Sequence, residues 1–225
     1  MAMQKSPEKR NNKNHDHRQF VCVGYILESS MAKSVLLIGD MINDLVHEDG
    51  PRPYLKEVRR RKIIENNAMV IDKAREAGIL IGFIRVGFSP DYREVSARSP
   101  LFTGAMKAGR FKLGTWGTEV HPDLSLKEGD FDIIKHRVSP FYGTRMNPLL
   151  RAQGVENIYI TGISTSGVVL STAKEGHDRD FVITIIEDCC CAGSEDDHQA
   201  VLHICERFAS ITKSGEVDFK YHLID

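Results

Sequence analysis

The sequence predicts an α/β fold, a doubly wound three-layer α/β/α domain around a mostly parallel six-stranded sheet, and three observations carry that reading. Short apolar runs alternate with longer stretches in which apolar residues recur at helical spacing. Connections of that length between strands require right-handed crossovers, which place helices on both faces of a parallel sheet. The bulk also suffices: a 225-residue chain with 41% apolar content can bury roughly 70% of its unfolded surface. Fibrous, collagen-like and wholly disordered chains are excluded by the same composition.

Residues 34–39 (SVLLIG), 79–86 (ILIGFIRV), 131–135 (FDIIK), 157–162 (NIYITG) and 181–187 (FVITIIE) are continuous apolar runs. Such runs suit strands covered on both faces. Residues 217–222 form a weaker sixth candidate. Between the first two strands, Leu55, Val58, Ile64, Ala68, Ile71, Ala74 and Ala77 recur at helical spacing over residues 53–77, and Gly78 supplies a stop. Helices are also expected over 145–153, 166–180 and 195–209. Residues 87–128 lack periodicity and are rich in Gly and Pro, the signature of a functional loop region. Residues 1–19 are nearly devoid of apolar side chains, so residues 1–30 read as a flexible extension and 31–225 as the domain. The apolar run 20–27 lacks a small-residue cleavage signature, which argues against secretion.

A net charge of −1 supplies no field to draw nucleic acid or an anionic membrane, and neither partner is expected. No apolar run approaches the roughly 18 to 20 residues of a membrane span. The basic stretch 59–62 (RRRK) reads as a solvated helix face. Cys22 and Cys205 stand alone and Cys189, Cys190 and Cys191 are adjacent, which matches neither a disulfide framework nor zinc-ligand spacing. Reduced, buried thiols in a cytoplasmic protein are the simplest account.

Ligands of a doubly wound sheet sit beyond the carboxyl ends of its strands. Asp40, Lys135, the turn 164–168 and Asp188 occupy those positions. Asp40 begins DMINDL after an apolar strand, where burial would raise its pKa and prepare it for acid or base work; helix capping is the alternative. Lys135 ends its own strand, and the two are a candidate charged pair. Residues 161–173 (TGISTSGVVLSTA) run from strand through a turn into a helix, whose first N–H groups can hold a carboxylate or an oxyanion. Val168 and Val169 stand where a phosphate loop needs Lys and Ser/Thr. Ser166 replaces the final glycine of a serine nucleophile elbow, for which Asp188 and His203 are the partners in the right chain order.

These segments together resemble the isochorismatase-like family, also called cysteine hydrolases. VLLIGDMINDLVHEDGP is similar to its first motif, GTWGTEVHPDL followed by IIKHRVSPFYGT to its lysine segment, and ITGISTSGVVLSTAKEGHDRDF to its nucleophile turn. The likeness runs from about residue 33 to about 203. It implies Asp40 as catalytic acid or base, Lys135 as the second member of the triad, and Val168 in the slot of the family's cysteine. A valine cannot attack a carbonyl, so the thioester route is closed at this position. Isochorismatases proper also do without the thiol, because a vinyl ether is cleaved by protonating its methylene carbon. Asp40 must then be protonated although Lys135 favours the carboxylate, so desolvation has to prevail.

The resemblance further implies a small-molecule substrate bound by Ser164, Thr165, Ser166 and Gly167, with Phe141 from the lysine segment. A flexible loop would bring Tyr92, Arg93 and Trp116, with Arg93 suited to a carboxylate. Family members often carry a non-proline cis bond at the position of Ser164–Thr165, and they are commonly homodimers or homotetramers. The metal-dependent amidases of the family carry histidines after the second strand, whereas RVGFSPDYREV has none, so neither metal nor other cofactor is expected. Two rivals remain: a binding protein that keeps the pocket without chemistry, and an amidohydrolase with a relocated thiol or hydroxyl.

Overall fold

Val35 and Leu37 on one side of β1 (Lys33–Gly39), and Leu36 and Ile38 on the other, are all fully buried, each pair in a different hydrophobic core. A strand with two dry faces needs helices on both, and that demand organises the fold. The computed structural model describes residues 33–51 and 53–219. The expected extension 1–30 and the end of the sixth strand candidate lie outside the described residues.

β1 is followed by β2 (Leu80–Val86), β3 (Phe131–Lys135), β4 (Val155–Ile163), β5 (Val182–Cys191) and β6 (Ser210–Thr212). Every pairing is parallel, in the order β3-β2-β1-β4-β5-β6. The helices in chain order are α1 (Asn43–Val46), α2 (Leu55–Arg60), α3 (Ile63–Glu76), α4 (Pro100–Lys107), α5 (Met146–Ala152), α6 (Leu170–His177) and α7 (Glu195–Cys205). Val58 of α2 with Ile63, Val70 and Ile71 of α3 covers one face; Leu150 of α5, Ala173 of α6 and Val201 of α7 cover the other. The chain adds β2 and β3 on one side of β1 and β4 to β6 on the other, so the switch point falls between β1 and β4. No helix among the described residues is long and apolar enough to cross a membrane.

Several expectations need correction. The sixth strand is Ser210–Thr212, pairing with Thr184, Ile185 and Ile186 of β5, whereas residues 217–219, the described part of the expected strand, are irregular. Val217 and Phe219 are apolar because they pack on the first core, where Phe219 meets Tyr159 edge to face at 4.7 Å. The helix expected over 53–77 is divided by Lys62, whose φ of 52° is left-handed. The expected loop 87–128 contains α4. Its sequence signal was available, since Ser99 caps Phe102 N–H and Pro100 takes the first helical position. β5 runs on through the cysteines, so Asp188 is internal to it, and its carboxylate is taken by the N–H and hydroxyl of Ser214.

Candidate active site

β1 ends at Gly39, and the chain turns sharply at Asp40, whose φ of 52° is a left-handed value that aspartate tolerates better than most residues. The turn is held by Asp40 N–H donating to Ile84 O at 2.7 Å. It aims the carboxylate across the end of β2, where Oδ1 accepts Val86 N–H at 2.7 Å and Oδ2 lies 2.8 Å from Lys135 Nζ. Val86 and Lys135 are register partners in β2 and β3, so one carboxylate spans the ends of three strands. Lys135 also donates to Arg137 O at 3.1 Å. Asp40 is 6% and Lys135 2% exposed. Burial raises the Asp40 carboxyl above its ordinary pKa, outweighing the opposing pull of the Lys135 ammonium and the Val86 N–H.

The opposite wall comes from β4 and the turn after it. A β-carbon on Gly162, with φ of 131°, would lie 2.2 Å from Gly39 O, so the two strand ends approach as only glycine allows. A β-carbon on Gly39 would lie 2.7 Å from Val168 Cγ1. The valine of the turn is therefore seated on the glycine that precedes Asp40. The peptide Ile163–Ser164 is cis, one bond earlier than expected. Thr165–Val169 then forms a single turn of π-helix that leads into α6.

These elements enclose a cavity of about 90 Å³. Asp40, Lys135, Ser164, Gly167 and Val168 line it together with Val86 and Ile163. The rest of the lining is apolar or aromatic: Leu45, Tyr54, Leu101, Phe102, Phe111 and Val138. Sequence reasoning missed these residues, since Phe102 and Leu101 belong to the helix read as loop.

Five of the expected site residues thus meet at the cavity, and the others do not line it. Thr165 is buried behind the turn, and its hydroxyl lies 2.7 Å from His198 Nδ1. Ser166 is exposed, with its hydroxyl 3.3 Å from that of Ser164. Tyr92 is buried in the core and donates its hydroxyl hydrogen to Arg110 O at 2.8 Å. Arg93 is exposed and paired with Asp91 at 2.7 Å, away from the lining. The Trp116 segment is tethered by Asn43 Nδ2 donating to Trp116 O at 2.9 Å, and the indole packs edge-on against His47. Phe141 is buried in the second core, stacked on Phe181 at 6.1 Å with the Arg179 guanidinium over its ring. Local sequence offers no signal separating an inward-turned aromatic from a pocket aromatic.

The four cysteines among the described residues are free and buried. Burial pushes the Cys189 and Cys190 thiols far up, and Cys191 up to about 12; none lines the cavity. The partners expected for a serine nucleophile are not assembled, because Asp188 is bound to Ser214 and His203 is exposed near Glu206. Arg61 also departs from the expected solvated face. Only 11% of its side chain is exposed, and its guanidinium lies 2.5 Å from Glu187 Oε2 and donates to the carbonyls of Glu187 and Cys190. No group of three or more His, Cys, Asp or Glu among the described residues is arranged to hold a metal ion. What the cavity offers is a buried acid beside an ammonium group, opposite a hydrocarbon side chain and a hydroxyl.

Residues 34–216 match the isochorismatase domain model. The chain is 31% identical over 193 residues to ureidoacrylate amidohydrolase RutB of Yersinia enterocolitica, covering 78% of this chain and 83% of that protein. It is also 31% identical over 158 residues to the isochorismatase family protein YecD of Escherichia coli O157:H7, covering 69% and 81% respectively. Among solved structures, N-carbamoylsarcosine amidase from Thermoplasma acidophilum superposes with a TM-score of 0.67 at 26% identity, covering 83% of this chain and 99% of that one. An isochorismatase-like hydrolase from Alkaliphilus metalliredigens gives 0.68 at 25% identity, covering 82% and 96%.

Proposed function

We propose, from the premise that this chain belongs to the isochorismatase family of hydrolases, that it cleaves a small vinyl ether by acid catalysis at Asp40 and uses no cysteine nucleophile. The observation that carries this reading is the buried Asp40 carboxyl, raised in pKa and facing a cavity whose opposite wall is Val168. A carboxyl whose pKa is raised keeps its proton to higher pH than an ordinary aspartate and can act as a proton donor. An alkyl side chain at the position that the family motif gives to cysteine cannot form an acyl intermediate.

In the proposed reaction the Asp40 proton passes to the terminal methylene carbon, and the carbon–carbon π pair forms the new C–H bond. Water adds to the resulting oxocarbenium carbon and returns a proton to Asp40. The hemiketal then expels the alcohol and leaves a ketone. Lys135 steadies the Asp40 carboxylate while the charge is present, at the cost of opposing its reprotonation. Ser164 and the apolar wall orient the substrate. No free cation stands in the described lining, since Arg93 is engaged outside it. Cytoplasmic location and homodimeric or homotetrameric assembly belong to the same proposal.

Hydrolysis of a pyruvyl enol ether in D2O tests this directly. The ketone methyl group should carry one deuterium per turnover, and Asp40→Asn should abolish turnover. If vinyl ethers, amides and ureides are all untouched and Asp40→Ala leaves ligand binding unchanged, the pocket belongs to a binding protein.

The amidohydrolase and amidase among the relatives favour a second reading, amide hydrolysis, for which a hydroxyl would have to take the place of the thiol. Ser164 supplies the hydroxyl that lines the cavity. An acyl adduct on Ser164 or Ser166, seen by mass spectrometry with an activated amide or ester, would select it over the first.

A further inference from the structure

Behind the pocket, Thr165, His198 and Glu187 are connected as a hydroxyl, an imidazole and a carboxylate. Thr165 Oγ1 lies 2.7 Å from His198 Nδ1, and His198 Nε2 lies 3.4 Å from Glu187 Oε2. This is the connectivity of a nucleophilic triad, yet Thr165 and His198 are both 0% exposed and neither lines the cavity. No substrate reaches that hydroxyl. The arrangement must act, if it acts, by holding something in place.

What it holds is the turn that carries Ser164, Gly167 and Val168 to the cavity. Thr165 lies within that turn, whereas His198 belongs to α7 and Glu187 to β5. Glu187 is fixed in turn by Arg61, which also reaches Glu195 of α7 at 3.1 Å. Lys213 lies 3.8 Å from the other oxygen of Glu187, and the charges acting on the imidazole are those of Arg61, Glu187 and Glu195.

The hydrogen positions follow from donor capacity. An ionised Glu187 can only accept, so His198 Nε2 must carry a hydrogen. A neutral ring then has a bare Nδ1, and the Thr165 hydroxyl must donate to it. Burial and the neighbouring Arg61 guanidinium hold the His198 pKa below its ordinary value, which favours the neutral ring.

We infer that His198 is a positioning residue that, as the neutral Nε2–H tautomer, clamps Thr165 and thereby fixes the pocket wall of residues 164–168 opposite Asp40 and Lys135. The clamp is independent of what the site turns over, so failure of the vinyl-ether reading leaves it standing.

Ring nitrogen NMR of histidine-labelled protein, together with residue-resolved amide hydrogen exchange, tests it without a substrate. The expected His198 signature is a protonated Nε2 and a hydrogen-bonded, unprotonated Nδ1 at neutral pH, with any titration displaced to lower pH than that of an ordinary histidine. Thr165→Val should remove the Nδ1 hydrogen-bond shift and accelerate exchange in residues 164–168 roughly fivefold, the worth of one ordinary hydrogen bond. Exchange in β1 should stay unchanged, and Thr165→Ser should restore both signals. A protonated Nδ1 in the wild type, or unaltered exchange of the turn in Thr165→Val, overturns the inference. If Thr165→Val fails to fold, the wild-type tautomer still decides. His198→Asn, whose side-chain oxygen can take the place of Nδ1, should then protect the turn where His198→Leu does not.

Discussion

Lys135 Nζ lies 2.8 Å from Asp40 Oδ2, with both side chains nearly sealed from solvent. Asp40 follows β1 and Lys135 ends β3, with β2 between them, and the carboxylate joins the Val86 N–H of β2 to the Lys135 ammonium. A buried pair of this kind is fragile to the loss of one partner. Lys135→Ala should destabilise the fold by about 3 to 5 kcal/mol at pH values where Asp40 is ionised, since it leaves the carboxylate without its cation. It should also raise the Asp40 pKa further. Urea titration at two pH values checks both, because the cost should shrink in acid, where the carboxyl is neutral.

The Asp40 shift sets the sign of a pH dependence. Its folded pKa lies above the unfolded value, so the folded state holds the proton more tightly. The resulting stabilisation is complete below the ordinary aspartate value and is lost as pH rises to the raised one. Asp40→Asn should flatten that slope in thermal unfolding measured across the window. If the protonated carboxyl is the working form, kcat should fall through the same raised pKa as pH increases.

Val168→Cys should be tolerated, because a smaller side chain replaces valine against Gly39, at a cost of roughly 1 kcal/mol for the lost methyl contacts. The new thiol would line the cavity near the Lys135 ammonium, which favours the thiolate. Iodoacetamide should label it well before Cys189, Cys190 or Cys191. A gain of activity toward ureido or carbamoyl amides over the parent is the expected outcome. Equal labelling of residue 168 and the buried cysteines would contradict the placement of this side chain at the pocket.

Glycines at two places should respond in opposite directions. Gly162→Ala puts a methyl 2.2 Å from Gly39 O at a φ of 131°, and should cost more than about 3 kcal/mol or prevent folding. Gly104 lies within α4, and a β-carbon there meets nothing within 4 Å. Gly104→Ala should stabilise by about 0.5 to 1 kcal/mol. Denaturant midpoints of the two variants decide the matter.

Arg61→Ala should destabilise by about 3 kcal/mol, because it removes the nearest cation of the largely buried Glu187 and takes a donor from the Glu187 and Cys190 carbonyls. Arg59→Ala, two residues away and paired with Glu48 at the surface, should change stability by less than about 1 kcal/mol. Comparable losses in the two variants would mean that Arg61 is solvated in solution, as its sequence context suggests.

The strand and helix alternation, the parallel sheet and the positions of Asp40, Lys135 and Val168 at strand ends were legible from the chain alone. Such features depend on residues close in sequence, whose apolar periodicity and position after a strand survive in one dimension. The family motifs sharpened this by marking which strand ends matter. Neither source could say that Arg61 turns inward while Arg59 stays out, since both sit in the same basic run. Nor could they place Tyr92 and Phe141 in the cores, move the sixth strand to Ser210–Thr212, or join Thr165 to a histidine 33 residues away. Those facts belong to the tertiary structure, because burial of a given side chain is set by which distant element packs over it. The carboxyl of Asp40 shows both contributions at once: its place after β1 is written locally, but its raised pKa exists only because β2, β3 and the turn after β4 close around it and exclude water.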